Sequence, residues 1–302
     1  RRQRQMCIRD RFKTPDEQLF TGVEVTANSA TLTWEETNRV THLTLAQMVD
    51  TKYGEEKQID LTSEDIAACS KTLSELENGA TYRVRIYNND ALRGSYVFKT
   101  QGLGGSEILF VEATETGVID LSTLLSNLVK EKECSNVTVQ LTPGAGYKVS
   151  ERKSPGLDNI LFTSTEANEN NRPQLIVTNK ISLASPIQSL SFEFVCLNGN
   201  GEASYMTDWK NSSYAQSISF TGCAIQNIKR TLVRISDGSG VFMTDITIDN
   251  CVISEVGTDG YGMINFGKNI DQLEKVSITN STLINIGDQL MDCLLYTSPS
   301  PR

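Results

Sequence analysis

The sequence predicts an all-β molecule: an antiparallel β-sandwich in the first third, then a right-handed parallel β-helix covered at its start by an α-helix. Three observations predict it. Short segments that alternate apolar and polar residues crowd the region before residue 101, as half-buried antiparallel strands do. A single amphipathic stretch places Leu121, Leu124, Leu125, Leu128 and Val129 at helical spacing. Beyond residue 216, three segments align without gaps at intervals of 28 and 30 residues, the mark of a stacked repeat.

The two ends are set apart first. Residues 1–11 begin Arg-Arg-Gln-Arg-Gln-Met-Cys-Ile-Arg-Asp, and residues 293–302 read Cys-Leu-Leu-Tyr-Thr-Ser-Pro-Ser-Pro-Arg. Back-translated, both resemble the ends of a transposase-type sequencing adapter, so they are expected to lie outside the natural protein and its fold. The competing reading of the first segment is a basic arm. Setting both aside takes Lys+Arg from 28 to 22 and Asp+Glu from 37 to 36, so the net charge moves from −9 to −14. An acidic chain repels phosphate backbones, which argues against nucleic acid as a partner. Cys7 and Cys293 drop out as well. The remaining five cysteines form no Cys-x-x-Cys pair, and a single His42 leaves no zinc-type cluster. No stretch is long and apolar enough to cross a membrane.

In residues 12–101, Val23–Val25, Ala30–Trp34, His42–Ala46, Tyr82–Ile86 and Ser95–Phe98 read as strands of the sandwich. Asn88 to Gly94 reads as the loop between the last two, and Arg93-Gly94-Ser95 as an ordinary turn. The specific signal is Leu76-x-x-Gly79-x-x-Tyr82-x-Val84-x-Ile86, with Trp34 on the second strand. It resembles the fibronectin type III signature, apart from Asn78 where that family usually has Pro. The resemblance implies a tyrosine corner at Tyr82, a core Trp34 and, in function, a spacer.

Residues 102–107 are Gly-rich and read as a linker; they lack the helix and spacing of a phosphate-binding loop. The β-helix is expected over 108–292. Ile108-Leu-Phe-Val111 reads as a buried strand, Asp120 as the cap of the amphipathic helix, and Val137–Leu141 as the next strand, followed by Pro143-Gly-Ala-Gly-Tyr147. Helix, apolar strand, Pro-Gly and Tyr together resemble the N-terminal cap of pectate-lyase-like β-helices. A stacked solenoid has an apolar open end, and a helix laid over it covers that end.

The aligned repeats run Ser217–Ile228, Asp245–Val256 and Lys275–Ile286, with a partial copy at Ser189–Phe192. They predict four inward ladders: Leu190/Ile218/Ile246/Val276, Phe192/Phe220/Ile248/Ile278, Ile225/Ile253/Leu283 and Ile228/Val256/Ile286. Gly222, Asn250 and Asn280 fall at the turn, where Asn tolerates left-handed backbone and can bond a stacked neighbour. Cys223 and Cys251 follow the turn and read as buried thiols rather than a catalytic pair. Leu232–Ile235 and Met263–Phe266 add a third strand per coil. An antiparallel sandwich is the alternative, and the gapless repeat argues against it.

Cap and repeat together resemble pectate-lyase-like β-helices found beside fibronectin type III modules in secreted and surface proteins of gut-type Bacteroidota. The resemblance implies export, or anchoring at the outer membrane, and acidic polysaccharide as partner. Lyases of this fold hold calcium in clustered carboxylates and use an Arg or Lys as base; hydrolases need paired carboxylates. The outward candidates are Arg234 and Asn265 on the third strand, with Asp208, Trp209 and Lys210 on the preceding coil. No two acids stack, Asp249 looks lone, and no catalytic motif or resident cofactor is identified. Arg234 also reads as a solvated side chain, and Trp209 as a packed aromatic instead of a sugar platform. Polysaccharide binding without catalysis is the expected function. A fragment of a polysaccharide lyase or glycoside hydrolase, with calcium in the lyase case, is the alternative.

Overall fold

The computed structural model describes residues 19–36, 39–49, 52–113, 119–149, 157–183, 185–210, 213–267 and 270–293. Residues 1–11 and 294–302 of the adapter-like ends lie outside this set. The chain divides into two compact units, residues 1–100 and 101–302.

The first unit is an all-antiparallel sandwich. Strands β1 (Phe20–Val25), β2 (Ala30–Trp34), β3 (His42–Val49), β4 (Lys52–Tyr53) and β5 (Lys57–Asp60) precede a short helix α1 (Ser63–Ala68). Then come β6 (Ser70–Leu73), β7 (Thr81–Asn88) and β8 (Ala91–Lys99). One sheet has the order β1-β2-β6; in the other, β3 pairs with β4, β5 and β7, and β7 pairs with β8. This is the fibronectin type III-like arrangement. Alternation puts Leu32, Trp34, Leu43, Val84, Ile86 and Phe98 into one core. The Tyr82 hydroxyl accepts from the Glu77 amide at 2.9 Å, which makes the tyrosine corner. One detail differs from the sequence reading. Arg93-Gly94-Ser95 lies within β8, because the turn is only Asn89-Asp90, with Asn89 left-handed at φ 51°. The segment after β5 forms α1, which a capping box between Thr62 and Asp65 starts.

The second unit is the parallel β-helix. Its first coil holds β9 (Gly105–Val111), β10 (Ile119–Asp120) and helix α2 (Leu121–Glu131). Next come β11 (Cys134–Leu141) with β12 (Gly146–Val149), then β13 (Asn159–Ser164) with β14 (Gln174–Val177). Full three-strand coils follow: β15 (Ile187–Glu193), β16 (Cys196–Asn198) and β17 (Tyr205–Trp209); β18 (Ala215–Thr221), β19 (Ala224–Ile228) and β20 (Thr231–Ile235). The last two are β21 (Phe242–Asp249), β22 (Val252–Val256) and β23 (Ile264–Phe266); then β24 (Gln272–Thr279), β25 (Thr282–Ile286) and β26 (Met291–Cys293). Equivalent strands pair in parallel to make two seven-stranded sheets and a four-stranded third sheet, β17-β20-β23-β26.

All four predicted ladders are present as register partners. They reach further back than the repeats showed, through Val139, Phe162 and Phe192 on one row and Tyr147, Leu175 and Leu197 on another. Phe162, Phe192 and Phe220 stack with ring centroids 5.4 and 5.3 Å apart. Helix α2 buries Leu121 and Leu125 and packs near β12. Tyr147 is fully buried. Its hydroxyl donates to the Val111 carbonyl at 2.8 Å and accepts from the Thr142 amide at 3.0 Å, which ties the first two coils together.

Three expectations are corrected here. Strand β9 begins at Gly105, inside the expected linker, because Cys134 and Asn136 on β11 give Gly105 and Ser106 pairing partners. Ile108 and Phe110 are exposed, since they occupy the outward positions of β9, and only Val111 is buried among the four. The turn asparagines do not bond one another. All three turn residues are left-handed (Gly222 φ 61°, Asn250 φ 52°, Asn280 φ 49°), yet Asn250 donates to Glu169 at 3.2 Å and Asn280 to Asp249 at 2.9 Å.

Candidate functional site

The third sheet brings three of the predicted residues into one place. Asp208 on β17, Arg234 on β20 and Asn265 on β23 are consecutive register partners, and Asp292 on β26 continues the row. Three strand spacings of about 4.8 Å put Asp208 and Asp292 about 14 Å apart, beyond the roughly 5–9.5 Å that paired carboxylates need in hydrolases. Asp208 and Asn265 are only 8% and 7% exposed. Lys180 binds one carboxylate oxygen of Asp208 at 3.0 Å. The other, Oδ1, is buried without a hydrogen-bond partner; Arg234 Nη1 approaches it only to 3.8 Å. Asn265 donates to Asp292 at 2.8 Å.

Aromatic rings hold the cations. The Arg234 guanidinium lies over the Tyr205 ring at 4.4 Å. Arg230 donates to the Tyr205 hydroxyl at 2.9 Å and lies over Tyr261 at 4.8 Å. Each contact fixes a guanidinium by quadrupole attraction without neutralising it. Asp259 stands 4.0 Å from Arg230. Lys210 is exposed just past β17. Trp209 is corrected as a sugar platform: it points into the coil and is 0% exposed, because positions 207 and 209 alternate inward beside Val233 and Ile235.

Sequence reasoning missed Lys180, Tyr205, Arg230 and Tyr261. Lys180 sits next to Ile181, which meets the third sheet by a single bridge to Thr207. Tyr261 lies between β22 and β23, where extra residues break the repeat period. The four-residue step from Arg230 to Arg234 was the one legible signal.

A second group lies on the turn column. The segment between β13 and β14 reaches down the helix: Arg172 Nε donates to the Gly222 carbonyl at 2.7 Å, and Glu169 accepts from Asn250. Asp249, which looked lone, accepts from Thr279 at 2.7 Å and from Asn280, and these bonds hold its carboxyl below the usual range. Burial pushes the Cys223 thiol well up. The hydrogen bond from Cys223 lowers that of Cys251. Among the described residues, no three His, Cys, Asp or Glu side chains gather to hold a metal, and no helix is long and apolar enough to cross a membrane.

A family described as a domain of unknown function, DUF4957, matches residues 162–286, less than half of the chain. No curated protein matches. Among solved structures, the chain is similar to an fn3 domain of human contactin 1 at 16% identity, covering 30% of this chain and 82% of that one, with a TM-score of 0.24. It is also similar to the FN5 domain of Drosophila Lar at 15% identity, covering 29% and 96%, TM-score 0.24. A third is the sensor domain of the anti-sigma factor RsgI4 of Pseudobacteroides cellulosolvens, at 23% identity, covering 30% and 98%, TM-score 0.20.

Proposed function

We propose that this is a glycan-binding module of a secreted or surface-anchored protein, of the kind exported by Bacteroidota, and that the outer side of its third sheet binds an acidic polysaccharide without cleaving it. One observation carries the reading: a molecule of net charge −9 gathers Lys180, Arg230 and Arg234 at its third sheet, the two arginines on tyrosine rings. Guanidinium groups suit planar carboxylates and sulfates, and Tyr261 offers a partly exposed ring. Binding is favoured over hydrolysis because the two acids of the row stand too far apart for paired-carboxylate chemistry.

The test is retardation of the full-length chain in native gels containing polygalacturonate, a sulfated glycan or a neutral glucan. Retardation is expected in the acidic gels only, and R234A weakens it. Equal retardation in the neutral gel, no retardation in any acidic gel, or appearance of unsaturated or reducing ends would overturn the reading.

A further inference from the structure

We infer that Cys223 and Cys251 form a two-coordinate site for a soft monovalent metal ion of the copper(I) class. The two cysteines occupy the same position of successive coils, each directly after the left-handed turn residue. Their contacts repeat with a shift of one coil. Cys223 Sγ lies 3.3 Å from the Phe192 carbonyl and 3.4 Å from that of Thr221; Cys251 Sγ lies 3.4 Å from the Phe220 carbonyl and 3.2 Å from that of Asp249. The Cys223 thiol also bonds the Cys251 sulfur, so the two sulfurs face each other between adjacent coils with a proton between them. A two-coordinate soft ion takes the place of that proton and bridges both thiolates. A disulfide, with sulfurs about 2.05 Å apart, would have to draw the pair together from hydrogen-bond distance.

The surroundings select the coordination number. Both side chains are buried. On one side of the pair the column continues as Val195, which has no donor atom. On the other it continues as Ser281, whose hydroxyl is already bonded to the Cys251 amide and the Thr279 carbonyl. Zinc, which takes four ligands, finds too few here, whereas thiolates alone suit copper(I). Loading replaces two S–H protons with one M⁺ and releases both protons to solvent, leaving a bis-thiolate of net charge −1. Arg172, bonded to the carbonyl that directly precedes Cys223, supplies the compensating positive charge. Entry requires the Glu169–Arg172 strap to lift, or metal to be present while the coils assemble. Cys196 stands outside the pair, at an outward position beside Ala224.

The test uses the reduced full-length chain, kept anaerobic and refolded with copper(I) supplied as its acetonitrile complex. Native mass spectrometry is expected to find one ion per chain, and X-ray absorption two sulfur neighbours and no others. C223S and C251S each lose the ion, and C196S keeps it. If a serine variant fails to fold, C223V gives the same readout, because Val195 shows that the column accepts valine. Three results overturn the inference: no retained copper, copper retained equally when both cysteines are replaced, or a mass loss showing that the pair closes to a disulfide.

Discussion

At the residue scale, one turn of the β-helix repeats a positive φ from coil to coil. Four residues occupy the same turn of successive coils: Phe194, Gly222, Asn250 and Asn280, all left-handed. Phe194 is the exception in type, since bulky residues rarely adopt this conformation. Its ring fills the space above Gly222, where a Cβ would lie 2.7 Å from the Phe194 ring edge. Glycine is therefore required at 222 by packing as well as by φ. G222A is expected to destabilise the protein by about 1–3 kcal/mol, read from its urea midpoint. In the sandwich, Y82F removes the bond to the Glu77 amide and is expected to cost about 0.5–1.5 kcal/mol by the same measurement. Glu56 supplies a pH dependence. Burial raises its pKa, but the Thr44 hydroxyl, Arg85 and Arg83 outweigh burial and hold it below its ordinary 4.5. A carboxylate depressed in the folded state contributes stability at neutral pH, and that contribution is lost as pH falls below about 4.5 through the folded value. E56Q is expected to lower the urea midpoint at pH 7 and to flatten its fall in acid.

At the element scale, stability is passed from coil to coil. Phe192 touches rings on both neighbouring coils, so F192A is expected to cost about 3–5 kcal/mol and to destabilise β13 and β18 as well as its own strand; hydrogen exchange of these strands checks it. Elements that repeat were legible in the sequence, because in-register stacking forces equivalent residues to share an environment. The four ladders and the third strands belong to this class; the cap helix was legible from its apolar spacing, and Tyr82 from the signature around it. What escaped lacks that constraint. Gly105–Glu107 pair in β9 although nothing in a Gly-rich run signals a strand. Arg93-Gly94-Ser95 extends β8 because a two-residue turn precedes it. Ile108 and Phe110 look like core residues but face outward. Of the site, the row Asp208, Arg234 and Asn265 followed from the repeat. Lys180 and Tyr261 come from irregular segments, whose positions only the folded chain defines.

At the scale of the whole molecule, an acidic chain with a guanidinium–tyrosine cluster on its third sheet has a defined electrostatic behaviour. Screening shortens the reach of its field to about 8 Å near physiological ionic strength. Binding of an acidic glycan through this cluster is therefore expected to weaken with added salt, and R230A/R234A to lose both the affinity and the salt dependence. The most direct measurement is hydrogen–deuterium exchange of the full-length chain with and without polygalacturonate. The proposed function predicts protection in β17, β20, β23 and the Gly257–Gly262 segment, and none in β1–β8. Protection confined to the sandwich or to the first sheet of the β-helix, or no protection at all, would contradict it.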